Sequence, residues 1–226
     1  MFDRIIAHTG LTKTSRILDI GAGPGKGSLP FVEREISVIS ADPSPAMIEQ
    51  GTKSYPILRY VCCGAEELPF RERSFDLVTS AQSFHWFDPP RALPELSRVL
   101  KPPGFLAVYW NTRDGDHEHI RLFDNLAAKF NPKHSRDYRA KDWGGVIEEG
   151  GVFKIAYHDK HSFTVPMTVE DWIGLARSVS YIRVIGDDLL PQFEREFREG
   201  LSAFPNVDCP YTTNIWLAQK TGNAGA

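Results

Sequence analysis

The sequence predicts an α/β fold in which a mainly parallel sheet is wound by helices on both faces. Three observations carry the prediction. An apolar run closes on Asp19-Ile20 and breaks into alternating glycines, Gly21-Ala22-Gly23-Pro24-Gly25-Lys26-Gly27. A second run, Val38-Ile39-Ser40-Ala41-Asp42, ends on another acid roughly twenty residues further on, a spacing that α/β nucleotide folds use. From Leu58 to Asn111, strand-like segments then surround a stretch of helical period.

Ahead of the first strand, Phe2, Ile5 and Ile6 predict one short amphipathic turn. Ile17 to Ile20 reads as a buried strand running into a tight glycine turn, with a helix around or after Ser28-Leu29-Pro30-Phe31-Val32. After the second strand, Ser44 is placed to cap a helix whose first residue is Pro45. Leu58 to Cys63 and Ser74 to Ser80 are the third and fourth strands. Leu93, Leu96, Val99 and Leu100 recur at helical spacing, Pro102-Pro103-Gly104 ends that helix, and Phe105 to Asn111 is the fifth strand. Beyond it the simple alternation stops. Two helices are expected at Glu118 to Phe130 and Tyr138 to Glu149, with strand character returning at Phe153 to Tyr157 and at Ser162 to Val165. A second helical insert runs from Thr168 to Phe204, opening on the cap-like Thr168-Val169-Glu170-Asp171. Tyr211 to Ala218 is the last strand, and Thr221 to Ala226 is expected to be a frayed tail.

The glycine turn admits three nucleotide-type readings. A P-loop requires Gly, four residues, then Gly-Lys-Ser/Thr; Ile20 stands at its first glycine and Gly27 replaces its hydroxyl residue. A dinucleotide fingerprint, G-x-G-x-x-G, matches Gly21 and Gly23 but meets Lys26 at the third glycine. An acid-x-Gly-x-Gly-x-Gly turn after a strand is met in full by Asp19, Gly21, Gly23 and Gly25. A turn of this kind can also be purely structural, and an NAD-dependent oxidoreductase stays open as an alternative.

The third pattern resembles the cofactor loop of class I S-adenosylmethionine-dependent methyltransferases. Gly64-Ala65-Glu66 after the third strand resembles their adenine-contacting segment, although relatives commonly have a polar residue where Gly64 stands. The run Ala81-Gln82-Ser83-Phe84-His85-Trp86-Phe87 after the fourth strand is similar to the type 11 methyltransferases, and within them to the branch containing trans-aconitate methyltransferases. The resemblance implies a Rossmann-like, doubly wound, seven-stranded sheet with an antiparallel last strand. It also implies S-adenosyl-L-methionine as cofactor, contacted by Asp19, Gly21, Ala22, Gly23, Gly25, Asp42 on the ribose, Met47 near the adenine, Ala65, Glu66 and Gln82. The expected organisation is a single methyltransferase domain over residues 1–226, its cofactor-binding core at about 14–112. Helical inserts at about 113–150 and 168–204, over the carboxyl ends of the strands, set specificity. Relatives carry a longer N-terminal segment over the cofactor, so an incomplete lid is expected here.

The implied chemistry is in-line methyl transfer to a small-molecule acceptor, by resemblance a carboxylate or hydroxyl oxygen. A catalytically silent binding module is the other alternative. Such transfer needs positioning and exclusion of water more than a protein nucleophile. His85 is the candidate catalytic group, as a base toward a hydroxyl or a neutral donor toward a carboxylate. Trp86, Trp110, Arg177, Ser178 and Tyr181 are the candidate substrate residues, the last two expected to share one helical face. Packing beside Trp86 is the plainer account of His85, and core placement that of Trp110.

Composition narrows the rest. A net charge of -3 supplies no basic field for nucleic acid or an acidic membrane. No apolar run approaches the roughly twenty residues that span a bilayer, no signal peptide is evident, and three cysteines without paired spacing fit a cytoplasmic, reducing compartment. Asp114, Asp116, His117 and His119 lack the spacing of a metal site. His158 and His161 are expected to face solvent. Trp143 and Trp172 are expected to anchor helices, and the charges from Glu194 to Glu199 to form a solvated helix face.

Overall fold

The computed structural model describes residues 1–132 and 141–222. β1 (Arg16–Ile20) lies inside the sheet because four of its five residues are buried, as a parallel strand covered on both faces requires. It pairs in parallel with β2 (Ser37–Asp42) and with β4 (Phe75–Ala81). β3 (Arg59–Cys62) continues beyond β2, and β5 (Leu100–Arg113) beyond β4, both parallel. With β6 (Phe153–Val165) and β7 (Cys209–Lys220) the order is β3-β2-β1-β4-β5-β7-β6. The chain direction of winding reverses between β1 and β4, the place where open α/β sheets bind ligands.

The last strand runs antiparallel to β5. Asp114 N–H donates to the Pro210 carbonyl, Thr213 Oγ1 to Asn111 Oδ1, and Lys220 Nζ to the Leu100 carbonyl, so the numbering rises on one strand as it falls on the other. β6 is one continuous strand where two segments are expected. Its polar centre, His158 to His161, reads as a break in the sequence, but an edge strand carries polar residues on its exposed side. His158 is exposed and lies flat on Trp216, with ring centroids 4.8 Å apart; His161 is exposed as well.

Among the helices, α1 (Phe2–Thr9) exceeds the expected single turn and buries Ile5, with Phe2 edge-on to Phe31 and Tyr109. α2 (Leu29–Val32) is only four residues long. α3 (Pro45–Ser54) starts as expected, with Ser44 Oγ accepting from the Met47 N–H. α4 (Pro89–Val99) buries Ala92, Leu93, Leu96 and Val99, whereas Leu100 opens β5 instead of extending the helix. Two prolines follow it, and the residue before a proline is pushed out of the α region, so the chain is extended by Lys101. α5 (Glu118–Phe130) matches its expected bounds. α6 (Trp143–Glu148) begins on an Asp142 side chain that accepts from Gly145 N–H; residues 138–140 of the longer helix expected there lie outside the described residues, as do 223–226 of the expected tail.

α7 (Val169–Ser178) opens with a full capping box between Thr168 and Asp171. It stops before an extended Val179, and α8 (Ser180–Arg183) is a separate turn, so Ser178 and Tyr181 do not share one helix face. α9 (Leu190–Leu201) completes the set, and its charged residues form an outer face with Arg198 paired to Glu170 and Lys129 to Glu196.

Two compact units emerge. The first comprises Met1–Trp110, Asp142–Lys160 and Asn214–Ala226; the second comprises Asn111–Lys141 and His161–Thr213. α6 therefore belongs with the first unit, not with α5 as the expected insert at 113–150 had grouped it. Ile5, Ile17, Phe31, Val38, Leu77, Ala107, Ile215 and Leu217 make a core in the first unit. The second has its own core, centred on Phe123, Trp172, Phe193 and Phe197, with the Trp172 indole N–H donating to the Val207 carbonyl at 2.6 Å. Each such side chain contributes roughly 1.5–3 kcal/mol of hydrophobic stabilisation. No helix among the described residues is long and apolar enough to cross a membrane.

Candidate active site

The candidate site of the first unit lies at the carboxyl ends of β1, β2 and β4. Asp19 is fully buried beneath the glycine turn, and both of its oxygens are engaged: Ser28 Oγ donates to Oδ2 at 2.6 Å and Thr79 Oγ1 to Oδ1 at 2.9 Å. Ser28 also meets Ser40 at 2.7 Å, so β1, β2, β4 and the turn are tied through one carboxylate. Burial raises the Asp19 carboxyl to about 6, while the hydrogen bonds from Ser28 and Thr79 lower it and the charge of Asp42 adds a smaller upward push. Asp19 holds the turn from below.

Two of the glycines are sterically obligatory. Gly21 has φ 67°, and a Cβ there would stand 2.6 Å from Ser83 Cβ and Oγ. At Gly25, with φ 96°, a Cβ would meet Leu58 Cδ1 at 2.5 Å and the Tyr60 hydroxyl at 3.0 Å. Gly23 differs, because a Cβ there would meet nothing within 4 Å. The crest of the turn is thus open while its flanks are closed. Ala22 N–H donates to the Ala41 carbonyl, joining the turn to β2. The single-turn α2 has Ser28 at its cap, with the hydroxyl committed to Asp19, so the helix start offers less than the sequence leads one to expect.

Asp42 sits at the rim of this crest. Its Oδ2 accepts from Gly23 N–H at 2.8 Å and its Oδ1 from Ser44 N–H at 2.9 Å. A carboxylate oxygen accepts about two hydrogen bonds, which leaves one site on each for a ligand hydroxyl. Met47 follows in the first turn of α3. Ala65 is buried, and the Glu66 carboxylate curls back so that Oε2 lies 3.1 Å from where a Gly64 Cβ would stand, while Oε1 accepts from Asp88 N–H at 3.0 Å. The Glu66 acid thus fills the space a polar side chain at position 64 would use. Gln82 is exposed and takes the left-handed conformation, φ 59°, with its N–H on the Tyr109 carbonyl.

His85 lies in the short turn after β4, where the Trp110 indole N–H approaches its Nδ1 at 3.4 Å. An indole N–H only donates, so Nδ1 is the accepting nitrogen and Nε2 carries the hydrogen. Burial lowers His85 to about 4, so it is neutral at pH 7. Trp110 is buried and stacked on Trp143 at 5.1 Å, with Trp216 edge-on at 5.5 Å. Trp143 therefore fixes α6 within the first unit. Trp86 is 75% exposed, a large apolar surface beside His85.

Asp19 and His85 pull pH stability in opposite directions. The stabilisation from Asp19 is full below its ordinary 3.8 and is lost as pH rises through 6; that from neutral His85 is present above 6.5 and is lost as pH falls through 4.

The other candidate substrate residues fall in the second unit. Arg177 is exposed and forms a two-pronged pair with Glu194 at 2.5 and 2.7 Å, and the exposed Ser178 hydroxyl donates to the Leu175 carbonyl. Tyr181 is part-buried, and its hydroxyl accepts from Arg113 Nη2 at 2.7 Å. His119 Nε2 lies 2.9 Å from the Asp208 carbonyl, and among the described residues no group of three or more His, Cys, Asp or Glu side chains is arranged to hold a metal.

Several site residues escape the sequence reading. Tyr60 donates its hydroxyl to the Pro24 carbonyl at 2.9 Å and is wedged between Gly25 and Gly51, where a Cβ would come within 2.6 Å of its ring. Tyr60→Phe is expected to cost about 1 kcal/mol of stability through that lost hydrogen bond while keeping the wedge, read as a lowered urea midpoint with unchanged slope. Ser83 donates to the Ile20 carbonyl and closes the other side of the turn.

These features define a doubly wound α/β domain with a glycine turn at the switch point of its sheet. Residues 18–108 match the methyltransferase-domain family. An uncharacterized methyltransferase-like protein of Schizosaccharomyces pombe is 31% identical over 216 residues, covering 93% of this chain and 81% of its own. The chain belongs to this family, among the class I S-adenosylmethionine-dependent methyltransferases. An uncharacterized methyltransferase of Mycobacterium tuberculosis is 46% identical over 99 residues, a match to 44% of this chain that spans only 41% of that protein's length. The fold is shared with a proposed type II methyltransferase from Anaeromyxobacter dehalogenans, at TM-score 0.66 and 21% identity over 96% of this chain and 94% of that one.

Proposed function

We propose that the protein transfers a methyl group from S-adenosylmethionine to an oxygen of a small-molecule acceptor, a carboxylate or a hydroxyl. The observation that carries this reading is the open crest at Gly23, held by Asp42, between two glycines whose flanks are filled by protein. The residues present fit the cofactor. Asp42 keeps one accepting position on each oxygen for the ribose hydroxyls, Met47 and Ala65 supply apolar surface for the base, and Glu66 supplies the acceptor for an adenine amino group. Gln82 and Ala22 line the same turn region, and Asp19 positions it.

When bound, the cofactor supplies a methyl on a positively charged sulfur, which leaves with the electrons of the broken C–S bond as a C–O bond forms. The chain has to orient the acceptor and exclude water. Neutral His85, with its Nε2 hydrogen, offers a donor to an acceptor oxygen, and burial makes it a weak base, which favours a carboxylate that is already ionised. Trp86 and Trp110 flank it with apolar surface. The likeness to the trans-aconitate branch rests on the run from Ala81 to Phe87 and the helix and turn from Arg91 to Gly104 that follow it.

Calorimetric titration with S-adenosylhomocysteine, with NAD as comparison, tests the reading: micromolar binding of the first and none of the second is expected, and the converse refutes it. His85→Ala is expected to leave this binding unchanged and to lower turnover about tenfold, the worth of one orienting hydrogen bond. Because His85 stays neutral down to about pH 4, turnover is expected to show no inflection near pH 6.5; such an inflection, lost in the variant, would make His85 a titrating base instead.

A further inference from the structure

Among the described residues, an arginine of the second unit has no carboxylate within ion-pair distance. Arg113, the last residue of β5, is partly buried, with its guanidinium 4.7 Å over the Phe123 ring and Nη2 on the Tyr181 hydroxyl. Its Nε is buried and has no hydrogen-bond partner among the described residues, the guanidinium's other polar neighbour being the Tyr211 side chain. No carboxylate among the described residues lies within ion-pair distance of it, in contrast to Arg177 and Arg198, which are paired with Glu194 and Glu170 on the surface of the same unit. Burial opposes the charge, but Tyr181, the charge effect and hydrogen bond of Tyr211, and the charge of Asp124 outweigh it and hold Arg113 above its usual range, so the cation persists.

A buried N–H without an acceptor costs roughly 1–3 kcal/mol, and structural arginines normally avoid that cost by finding one. Nε and Nη2 form one edge of the guanidinium, the edge that receives a planar oxyanion through two parallel hydrogen bonds. Phe123 offers an apolar wall, while Tyr181 and Tyr211 bring their hydroxyls to the guanidinium.

We propose that Arg113 is an anion-recognition residue: the Nε edge of its guanidinium binds a planar oxyanion, a carboxylate or a phosphate, on a small aromatic or apolar acid. The anion site lies within the second unit and does not depend on the reading of the function given above.

The test is calorimetric titration of the full chain, saturated with S-adenosylhomocysteine, with phenylacetate, phenyl phosphate and the neutral phenylacetamide. One or both anions are expected to bind and the amide not to. Arg113→Gln is expected to weaken the anion about tenfold or more, Arg113→Lys less, since a point charge keeps attraction but loses the fork, and Arg198→Gln not at all, with S-adenosylhomocysteine binding equal in all four proteins. Anion affinity unchanged in Arg113→Gln, equal binding of the amide, or no anion binding by a chain that binds S-adenosylhomocysteine overturns the proposal. Should Arg113→Gln not fold, Arg113→Lys decides, and anion affinity equal to the unmodified chain counts against it. A chain that binds the anions through Arg113 but not S-adenosylhomocysteine keeps the anion site and loses the methyl-transfer reading.

Discussion

Gly21→Ala is expected to destabilise the protein by roughly 2–4 kcal/mol, the sum of a left-handed backbone imposed on an L side chain and of overpacking against a fixed neighbour. The neighbour is Ser83, whose Cβ and Oγ both stand 2.6 Å from the new methyl. Ser83 cannot swing aside without giving up its hydrogen bonds to the Ile20 carbonyl and to Ser80. Relief must therefore come from the turn itself, which moves Ala22 off β2 and the Gly23 crest off Asp42. Thermal unfolding should fall by about 2–4 °C for each kcal/mol lost, and cofactor affinity should fall with it. Gly23→Ala is the informative contrast: its methyl points into open space, so its penalty should be mainly the backbone term together with lost ligand contact. A Gly21→Ala protein as stable as the unmodified chain would show that the turn is softer than its contacts imply.

Asp42→Ala is expected to weaken cofactor binding by roughly 1–3 kcal/mol, about 5- to 150-fold in affinity. Two losses combine. The ribose loses its acceptor, and the Gly23 and Ser44 N–H groups lose the oxygens that hold them at 2.8 and 2.9 Å. Asp42→Asn separates these, since an amide keeps one accepting oxygen but turns a donor toward the second N–H group. Its affinity should lie between the two. Calorimetry with S-adenosylhomocysteine reads the effect directly, and equal affinity in all three proteins would remove Asp42 from the site.

Much of the sheet is legible in the sequence because its signals are local. β1 and β2 announce themselves as short apolar runs closed by acids, the Ser44 cap by its Pro45, and α5 by its spacing of apolar residues. Partnerships across long stretches of chain are not legible. Nothing near Arg177 indicates that Glu194 will occupy it, and nothing near Ile20 points to Ser83, which reaches it from 63 residues away. The expected face shared by Ser178 and Tyr181 fails because the helix ends between them, at a Val179 whose extended backbone follows from tertiary context and not from propensity. Arg113 is overlooked for a related reason: a single arginine at a strand end carries no pattern, and its significance lies in having no carboxylate within ion-pair distance among the described residues.

The carboxylate of Asp19 has a consequence for how the chain acquires its shape. Thr79, which takes one of its oxygens, follows 60 residues later, and the Ser83 that closes the turn comes later still. Loop closure over such separations is slow relative to local contacts, and parallel strand pairing shares that disadvantage. As the nascent chain emerges, the glycine turn is therefore made early but given its final geometry only after β4 docks beside β1. A fragment ending before Phe75 contains the whole acid-glycine motif and Asp42 yet lacks the parts that set their positions. The ligand can stabilise the finished turn; it cannot template it.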